Sequence, residues 1–406
     1  MNAPALRIAR GFLPYGRQLI EDDDVAAVTE ALRGDFLTTG PYVSRFEEAL
    51  AASVGAAHAI VCANGTAALH MAARALRLGP GTKIIVPAIT FLATASAPHL
   101  NGAEIVFADV DPETGLMRPE DLEEAFARAG QADAVFNVHL NGQCGALEEI
   151  AQIARAHDAK IVDDACHAIG TSYVASDGTI SAIGSNRFCD LSVFSFHPVK
   201  TIAMGEGGAV TANDPELARR LRLARNHGMT RDAAEFTDAE AAFENGEPNP
   251  WYYELAEPEF NWRANDIQCA LGLSQLAKLE RFVARRRAIA AHYDLALAQL
   301  APVLRPLGRA RRSLPAWHLY VVRIDFERAR LSRAQLMRAL AADGIGTQVH
   351  YVPVHRQPYY AGRYGATHLP GAERYYERAL SLPLFASMNE SDADYVAERL
   401  ARHLRR

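Results

Sequence analysis

The sequence predicts an α/β fold with a central, mainly parallel sheet and a smaller C-terminal α+β domain. Between about residue 20 and residue 230, short apolar runs alternate with helical patterns, as in layered α/β domains. After residue 260 a separate pattern of helices and strands follows. The chain of 406 residues is also too long for one ordinary core. We therefore expect a large domain over residues 1–260 and a small one over residues 261–406.

The strands predicted in the large domain are rich in Val and Ile, and several lack period-two alternation. This pattern is typical of strands that are covered on both faces. The predicted strands span residues 58–62, 82–88, 103–110, 133–140, 159–165, 190–196 and 207–212. The predicted helices between them span residues 67–78, 119–128 and 146–157.

The remainder of the chain predicts an insertion and the small domain. Residues 233–250 are acidic, with Gly and Pro near their end, which indicates a surface insertion or hinge. A long helix is expected over residues 267–297. It is followed by a strand, a helix and a second strand, which are predicted at residues 318–326, 333–343 and 346–354.

Composition narrows the class of protein. The net charge of −6 argues against nucleic-acid binding driven by bulk charge, although a local phosphate pocket remains compatible with it. No apolar run reaches membrane-spanning length and the start lacks a signal-peptide core, so we expect a cytoplasmic protein that does not associate with membranes. The five cysteines form no CxxC pair, and we expect small buried residues and no metal site.

Lys200 is the first candidate for chemistry. It lies between an apolar strand and a glycine-rich turn, in FSFHPVKTIAMGEGG. Burial at such a point would lower the pKa of the ammonium group and favour covalent bonding to an aldehyde. The alternative is a solvated surface lysine, as most lysines are.

A pair of carboxylates supplies the second element. Asp163 and Asp164 end a predicted strand, where open α/β sheets place ligand-binding groups. A pyridoxal 5′-phosphate (PLP) enzyme needs one carboxylate to keep the pyridine nitrogen protonated. Neighbouring strand residues point to opposite faces, so only one of the two can face a cofactor. Either could instead cap a strand end or a turn.

The third element is the turn Asn64-Gly65-Thr66, where a strand ends and a helix begins. Backbone N–H groups at a helix N-terminus bind phosphate, and Gly65 permits close approach. Thr66 adds a hydroxyl donor. Asn-Gly is also common in plain turns, but together with Lys200 and Asp164 it predicts a phosphate cup for PLP.

Three motifs, NGTAALH, VDDACHAIG and FSFHPVKTIAMGEGG, resemble the DegT/DnrJ/StrS family of sugar aminotransferases. The resemblance runs from residues 12–18 to residues 349–360 and implies the PLP-dependent transferase fold type I, which is aspartate-aminotransferase-like. It implies that Lys200 binds the cofactor covalently and that Asp164 pairs with the pyridinium. It implies that His167 lies near the PLP 3′-oxygen and that Phe91 stacks on the ring. The phosphate contacts that it implies are Gly65, Thr66 and Ser195.

The resemblance also implies a homodimer with shared active sites, in which Asn261 and Arg263 reach the partner's phosphate. Asn261 and Arg263 could instead be an ordinary pair of residues at the N-terminus of a helix, and Phe91 could be a core aromatic. His167 could be a satisfied core histidine, and Ser195 could cap a turn.

Within the family, the chain is most similar to the UDP-4-keto-6-deoxy-sugar C4 aminotransferases of pseudaminic acid biosynthesis, which serves flagellin glycosylation and lipopolysaccharide. The similarity implies L-glutamate as donor and UDP-2-acetamido-2,6-dideoxy-β-L-arabino-hex-4-ulose as acceptor. The long insertion at residues 233–250 and the run DDACHA depart from the pattern and leave the sugar open. The alternatives are another nucleotide keto-sugar, of GDP-perosamine or bacillosamine type, and a PLP-binding regulatory protein.

Further polar and aromatic groups are candidates for substrate binding. His350, Tyr351 and His355 could contact a base or diphosphate, or could instead form a strand edge. No carboxylate or cysteine completes a metal site within that segment. Near the N-terminus, Tyr15 and Arg17 are similar candidates, because a guanidinium binds anions in bidentate fashion.

Overall fold

The computed structural model describes residues 11–404. Their helices are α1 (Asp22–Arg33), α2 (Pro41–Val54), α3 (Gly65–Ala75), α4 (Leu92–Leu100), α5 (Pro119–Ala129), α6 (Leu147–Ala156), α7 (Pro215–Arg225), α8 (Ala239–Ala242), α9 (Asp266–Leu276), α10 (Leu279–Leu297), α11 (Arg333–Ala342), α12 (Pro358–Tyr364), α13 (Pro370–Arg378) and α14 (Glu390–Leu404).

The strands are β1 (His58–Cys62), β2 (Lys83–Pro87), β3 (Glu104–Ala108), β4 (Ala134–Val138), β5 (Lys160–Asp164), β6 (Ser172–Val174), β7 (Ile180–Ala182), β8 (Leu191–Ser195), β9 (Gly208–Ala212), β10 (Met229–Thr230), β11 (Phe243–Glu244), β12 (Glu247–Pro248), β13 (Glu254–Leu255), β14 (Leu304–Pro306), β15 (Ser313–Leu314), β16 (Tyr320–Ile324) and β17 (Ala379–Leu382).

A seven-stranded sheet with the order β1-β9-β8-β5-β4-β2-β3 forms the centre of the molecule. Five neighbouring strands, from β8 to β3, run parallel, and β9 runs antiparallel to both of its neighbours. Each of the seven strands predicted for the large domain is present. The predicted fold class, a central and mainly parallel sheet with a smaller C-terminal α+β part, is confirmed.

Both faces of this sheet are covered by helices. Along β2, Ile84 and Val86 pack in a cluster with residues of α3 and α4, whereas Ile85 packs in a cluster with residues of α5 and α6. Successive side chains of a strand point to opposite faces, so a strand between two helical layers is apolar at every position. This arrangement explains the continuous apolar runs of the sequence.

A second sheet, with the order β14-β16-β17, is antiparallel and lies towards the C-terminal end of the chain. Its core is shared with helices α10, α11 and α14, through residues such as Ile289, Val322, Leu336, Leu382 and Leu400. The division into domains at residues 260 and 261 stays a prediction.

The helix predicted over residues 267–297 is in fact two helices, α9 and α10, with a break at Ala277 and Lys278. Lys278 has non-helical dihedral angles, and its ammonium nitrogen lies 2.6 Å from Asp23 Oδ1 and 2.7 Å from Asp24 Oδ1. Both carboxylates belong to α1. The break therefore coincides with a buried ion cluster that joins α1 to the start of α10.

The strand predicted over residues 346–354 is not formed, and this prediction was wrong. Only one isolated bridge, between Gln348 and Ser381, joins the segment to the second sheet. Further along, the N–H of Val354 donates to the carbonyl of Ala88, which follows β2 of the central sheet. The segment crosses between the two halves of the chain, so its backbone hydrogen bonds go to partners other than a strand.

Residues 233–250 form short elements at the surface, including α8 and the hairpin of β11 and β12. At the other end of the chain, Leu13 exchanges backbone hydrogen bonds with Gly344 and Gly346, and Leu384 N–H donates to the Tyr15 carbonyl. The first described residues are thus held against the C-terminal part of the chain. No helix within residues 11–404 is both long and apolar enough to cross a membrane.

Candidate active site

A cavity of about 780 Å³ opens where the carboxyl ends of the central strands meet the segment around residue 350. Open α/β sheets bind ligands at this edge. The predicted site residues on its wall are Tyr15, Gly65, Thr66, Phe91, Asp164, His167, Ser195, Lys200, His350 and Tyr351. The fold therefore brings together most of the residues that the sequence singled out.

Lys200 is half-buried in a turn that follows β8 and is closed by a hydrogen bond from its N–H to the His197 carbonyl, at 2.8 Å. Burial lowers the pKa of Lys200, whereas Cys166 and Asp164 act in the opposite direction. A lower pKa leaves more of the amine unprotonated, and only the free amine is a nucleophile or base.

Asp164 ends β5 and is 6% exposed. Its Oδ2 accepts a hydrogen bond from Thr94 Oγ1 at 2.6 Å, and its Oδ1 accepts one from the N–H of Cys166 at 3.2 Å. Within residues 11–404 no lysine, arginine or histidine forms an ion pair with it. A buried carboxylate without a cation is costly, so the geometry leaves room for a cationic partner from a ligand.

Asp163 points to the other face of β5. Its Oδ2 lies 3.1 Å from Nε2 of the buried His139, and its Oδ1 accepts a hydrogen bond from Asn137 Nδ2 at 3.2 Å. Asp163 is absent from the wall of the cavity. The two adjacent carboxylates therefore have different surroundings, and Asp164 is the one that faces the site.

The turn before α3 forms a narrow cradle. Asn64 Oδ1 accepts the N–H of Ala67 at 2.9 Å and caps the helix. A Cβ atom on Gly65 would lie 2.9 Å from Ser195 Cβ, so this helix start approaches β8 as closely as only glycine allows. A Cβ on Gly208 would lie 2.3 Å from the Asn64 carbonyl oxygen. The turn therefore rests directly on β9, with the helix N-terminus at the cavity.

His167 lies between the large sheet and the cavity. Its Nδ1 accepts the N–H of Asn141 at 3.3 Å, so its Nε2 carries the proton and donates to Tyr351 Oη at 3.2 Å. Burial is the main cause that lowers the pKa of His167 well below its usual value, and Lys200 adds to it. The ring is therefore a neutral hydrogen-bonding group at neutral pH.

His318 is a cavity residue that the sequence analysis missed. It is 3% exposed, its ring centroid lies 4.3 Å from that of His167, and its Nδ1 has no hydrogen-bond partner among the described residues. Burial lowers the pKa of His318 well below its usual value. The position of this histidine, directly before the apolar run of a predicted strand, was the sequence feature that could have indicated a site residue.

Phe91 is 54% exposed at the N-terminus of α4, and its ring centroid lies 6.0 Å from that of Tyr351. A core aromatic would be buried, so this position does not fit the core alternative. An apolar ring on the wall of a cavity offers a planar ligand a stacking surface.

The other side of the cavity comes from the C-terminal half of the chain. His350 Nδ1 lies 2.7 Å from Ser381 Oγ, and the Tyr15 ring centroid lies 5.3 Å from that of His350. Burial lowers the pKa of His350 to about 3. Gln348 and Gln357 also lie on the wall of the cavity.

Two of the proposed substrate residues lie away from the cavity wall. His355 Nε2 lies 3.2 Å from Glu373 Oε1, and the ring packs beside Phe107. Arg17 is exposed, with its guanidinium 5.9 Å from the ring centroid of Phe385. The structure therefore assigns these two side chains to packing and surface contacts in a single chain.

Asn261 and Arg263 also lie outside the wall of this cavity. Arg263 hydrogen-bonds Asn226 and lines a second cavity of about 580 Å³ together with further arginines. Trp262, between the two, does line the first cavity. That Asn261 and Arg263 act on the site of a partner subunit stays a prediction.

PLP fits the first cavity on three grounds. The Gly65 cradle presents a helix N-terminus where an anionic phosphate can bind. The buried Asp164 lacks a cation, as a pyridinium partner requires. The half-buried amine of Lys200 lies on the same wall. A parallel α/β sheet with these three groups at its carboxyl edge defines the class of PLP-dependent enzymes.

The sequence profile described as the DegT/DnrJ/EryC1/StrS aminotransferase family matches residues 18–401, and the chain belongs to this family. A curated relative is the spore coat polysaccharide biosynthesis protein SpsC of Bacillus subtilis (strain 168). The two are 39% identical over 394 residues, which cover 95% of this chain and 96% of SpsC.

Two solved structures are similar over almost their whole length. PseC of Helicobacter pylori, an aminotransferase involved in the biosynthesis of pseudoaminic acid, superposes with a TM-score of 0.87 at 28% identity, over 97% of this chain and 99% of PseC. The protein Spr1654 of Streptococcus pneumoniae, in its PLP form, superposes with a TM-score of 0.84 at 26% identity, over 97% of this chain and 99% of Spr1654. The chain is thus a PLP-dependent sugar aminotransferase.

Proposed function

We propose that the chain transfers the amino group of L-glutamate to C4 of a UDP-linked 4-keto-6-deoxy sugar. The observation that carries this proposal is the cavity shared by the Lys200 amine, the Asp164 carboxylate and the Gly65 cradle. The volume of this cavity is within the range of several hundred cubic ångströms that is typical of small-molecule and cofactor sites.

In this proposal the residues of the chain divide the work. PLP, when bound, accepts the electron pair that is released at the substrate carbon. Lys200 would move the proton of the glutamate α-carbon to the cofactor, which then carries the amino group, and in the second half of the reaction would return a proton from the cofactor to C4 of the sugar. Asp164 holds a proton on the ring nitrogen. Gly65, Thr66 and Ser195 bind the phosphate, and Phe91 packs on the ring.

His167 is proposed to orient the 3′-oxygen with the proton on its Nε2. That proton is directed at Tyr351 Oη. Tyr15, His350 and Tyr351 are proposed to contact the substrates, because they form the wall opposite the phosphate cradle.

The proposed acceptor is UDP-2-acetamido-2,6-dideoxy-β-L-arabino-hex-4-ulose, as in pseudaminic acid biosynthesis for flagellin or lipopolysaccharide. The similarity to PseC supports this choice. The higher identity to SpsC, a spore coat polysaccharide protein, supports a second candidate, which is another nucleotide keto-sugar. Enzymes of the GDP-perosamine and bacillosamine type act on such sugars.

Mass spectrometry of the products from a panel of UDP-, GDP- and dTDP-4-keto-sugars with glutamate tests the proposal. We expect a 4-amino product chiefly from the UDP-linked sugar. If only a GDP- or dTDP-linked sugar gives a product, the acceptor is the second candidate, another nucleotide keto-sugar. If glutamate leaves the visible absorbance of the PLP-loaded protein unchanged, the regulatory-protein alternative is favoured instead.

We further propose a cytoplasmic homodimer in which each subunit has domains at residues 1–260 and 261–406. Exposed apolar side chains around the cavity support a surface that is covered by a second subunit. On the cavity wall, Phe91 is 54% exposed and Leu92 is 44% exposed. Trp251 and Phe260, which precede the cavity residue Trp262 in the sequence, are 70% and 61% exposed. Large exposed apolar side chains mark an interaction surface where they form one contiguous patch, as proposed here.

A further inference from the structure

Arg286 of α10 is a buried cation without an acidic partner. It is 1% exposed, and within residues 11–404 no carboxylate forms an ion pair with it. Burial lowers the pKa of its guanidinium to about 10, so the group still carries its charge at neutral pH. Its Nε atom has no hydrogen-bond partner in the described part of the chain.

The guanidinium donates only to backbone carbonyls, which come from three separate segments. One terminal nitrogen contacts the carbonyl oxygens of Leu384 at 2.9 Å, His318 at 3.2 Å and Trp317 at 3.4 Å. The other contacts the carbonyl oxygen of Lys200 at 3.5 Å. One side chain therefore joins the turn of Lys200 to the start of β16 and to the segment after β17.

Arg286 stabilises the fold through these hydrogen bonds, but an unpaired buried charge is also costly. What Arg286 does hold is the backbone of two cavity residues, Lys200 and His318. The ring of His318 in turn packs against His167.

We propose that Arg286 is a positioning residue that fixes the Lys200 turn against the segment before β16 that contains His318, and so sets where the Lys200 amine lies in the cavity. The inference rests on the proposed role of Lys200. Arg286 touches neither substrate nor cofactor in this proposal, and it acts through the backbone.

Three variants test this role. Arg286→Met removes every donor, and Arg286→Lys keeps a charge but loses the planar fork that reaches several carbonyls at once. Arg287→Met is the matched control. Arg287 is the next residue of α10 and donates to the carbonyls of Pro315 at 2.8 Å and Leu314 at 3.1 Å, but it does not reach Lys200 or the cavity.

The first readout does not require turnover. Visible absorbance follows the rate at which each apoenzyme bonds PLP through Lys200, and visible circular dichroism reports how firmly the bound PLP is oriented. We expect Arg286→Met and Arg286→Lys to slow this rate and weaken the dichroism. In steady state their kcat should fall by roughly 10²-fold with KM values within about threefold, because misplaced reacting groups cost about that much. Arg287→Met should match the wild type.

Lys200→Ala separates this inference from the proposed function. If Lys200→Ala still bonds PLP and is active, the assignment of Lys200 is wrong and the role of Arg286 is wrong with it. If Lys200→Ala is inactive but Arg286→Met equals Arg287→Met in all readouts, only the positioning role is wrong. If Arg286→Met fails to fold, the Arg286→Lys variant is the test. An unchanged rate of PLP bonding and an unchanged kcat in Arg286→Lys would overturn the inference.

Discussion

Asp163 and Asp164 show how two identical neighbouring side chains acquire different tasks. The alternation of a strand sends one to His139 and Asn137 and the other to the cavity. The sequence restricted the pyridinium partner to this pair, and the motif favoured Asp164. Its lack of a cationic partner could not be foreseen, because it depends on side chains from distant segments.

Replacement of Asp164 by Asn should remove the negative charge that we propose for pairing with the ring nitrogen, while keeping the size of the side chain. We expect kcat to fall by about 10²- to 10³-fold, the usual effect of losing one electrostatic group of an active site. Asp163→Asn is the matched control. It should lower the free energy of unfolding by about 1–3 kcal/mol, since it weakens a buried hydrogen bond. Activity per bound PLP should stay within about threefold, and an equal loss in both variants would contradict the assignment.

Three cavity histidines should make stability depend on pH. Burial lowers the pKa of His167, His318 and His350 in the folded chain, for His350 to about 3, whereas an unfolded histidine titrates near 6.5. The unfolded chain therefore binds protons first as the pH falls. Stability is complete above about pH 6.5 and decreases below it, by up to about 1.4 kcal/mol per pH unit for each histidine.

Denaturant unfolding of the apoenzyme between pH 7.5 and pH 5 measures this dependence. His350→Gln should reduce the slope by about one proton, because one of the three groups is removed. A slope that is unchanged in this variant would show that the pKa of His350 is not lowered in the folded chain.

At the scale of elements, the apolar runs and Gly-rich turns predicted all seven strands of the central sheet. The prediction failed where partners come from elsewhere in the chain. The break between α9 and α10 coincides with ion pairs to carboxylates of α1, and residues 346–354 cross between the two halves of the chain instead of joining a sheet. His318 and Arg286 escaped notice for the same reason, because only the fold brings them to Lys200.

The start of α3 gives a prediction at this scale. In Gly65→Ala the new Cβ would meet Ser195 Cβ at 2.9 Å, so the helix must move away from β8. Overpacking of this kind costs about 1–3 kcal/mol, which corresponds to roughly 5- to 150-fold weaker PLP binding if the cradle bears the strain. Titration of the apoenzyme with PLP measures the change.

Gly362→Ala in α12 is the control for this substitution. A Cβ at Gly362 would have no neighbour within 4 Å, and alanine is favoured over glycine in a helix. The control should bind PLP like the wild type and should be equally or more stable. Comparable losses of PLP affinity in both variants would show that the cradle is not the binding site.

At the scale of the whole molecule, Asn261 and Arg263 lie outside the cavity of their own chain, and the proposed homodimer gives them a role in the partner's site. Lys200→Ala and Arg263→Ala should each be impaired alone. A mixed dimer would combine an intact Lys200 from one subunit with an intact Arg263 from the other. Refolding the two variants together should restore about a quarter of the wild-type activity, since half of the dimers are mixed and each has one complete site.

Initial-rate kinetics of the mixture and of each variant alone measure the restoration. Mixing Lys200→Ala with Asp164→Asn is the control, because both residues belong to the same chain's site and no complete site can form when each subunit lacks one. An Arg263 mixture that is no more active than this control would contradict shared sites.

The pairing of Leu13 with Gly344 and Gly346 bears on how the chain is made. During synthesis the first residues leave the ribosome long before their partners exist, and β1 likewise waits for β9, its only neighbour in the sheet. Contacts this distant in sequence form slowly, and an unpaired strand edge invites association with other chains. The cavity wall that contains Tyr15 and His350 is therefore completed only after almost the whole chain has been translated, so nascent chains should depend on chaperones more than the finished enzyme does.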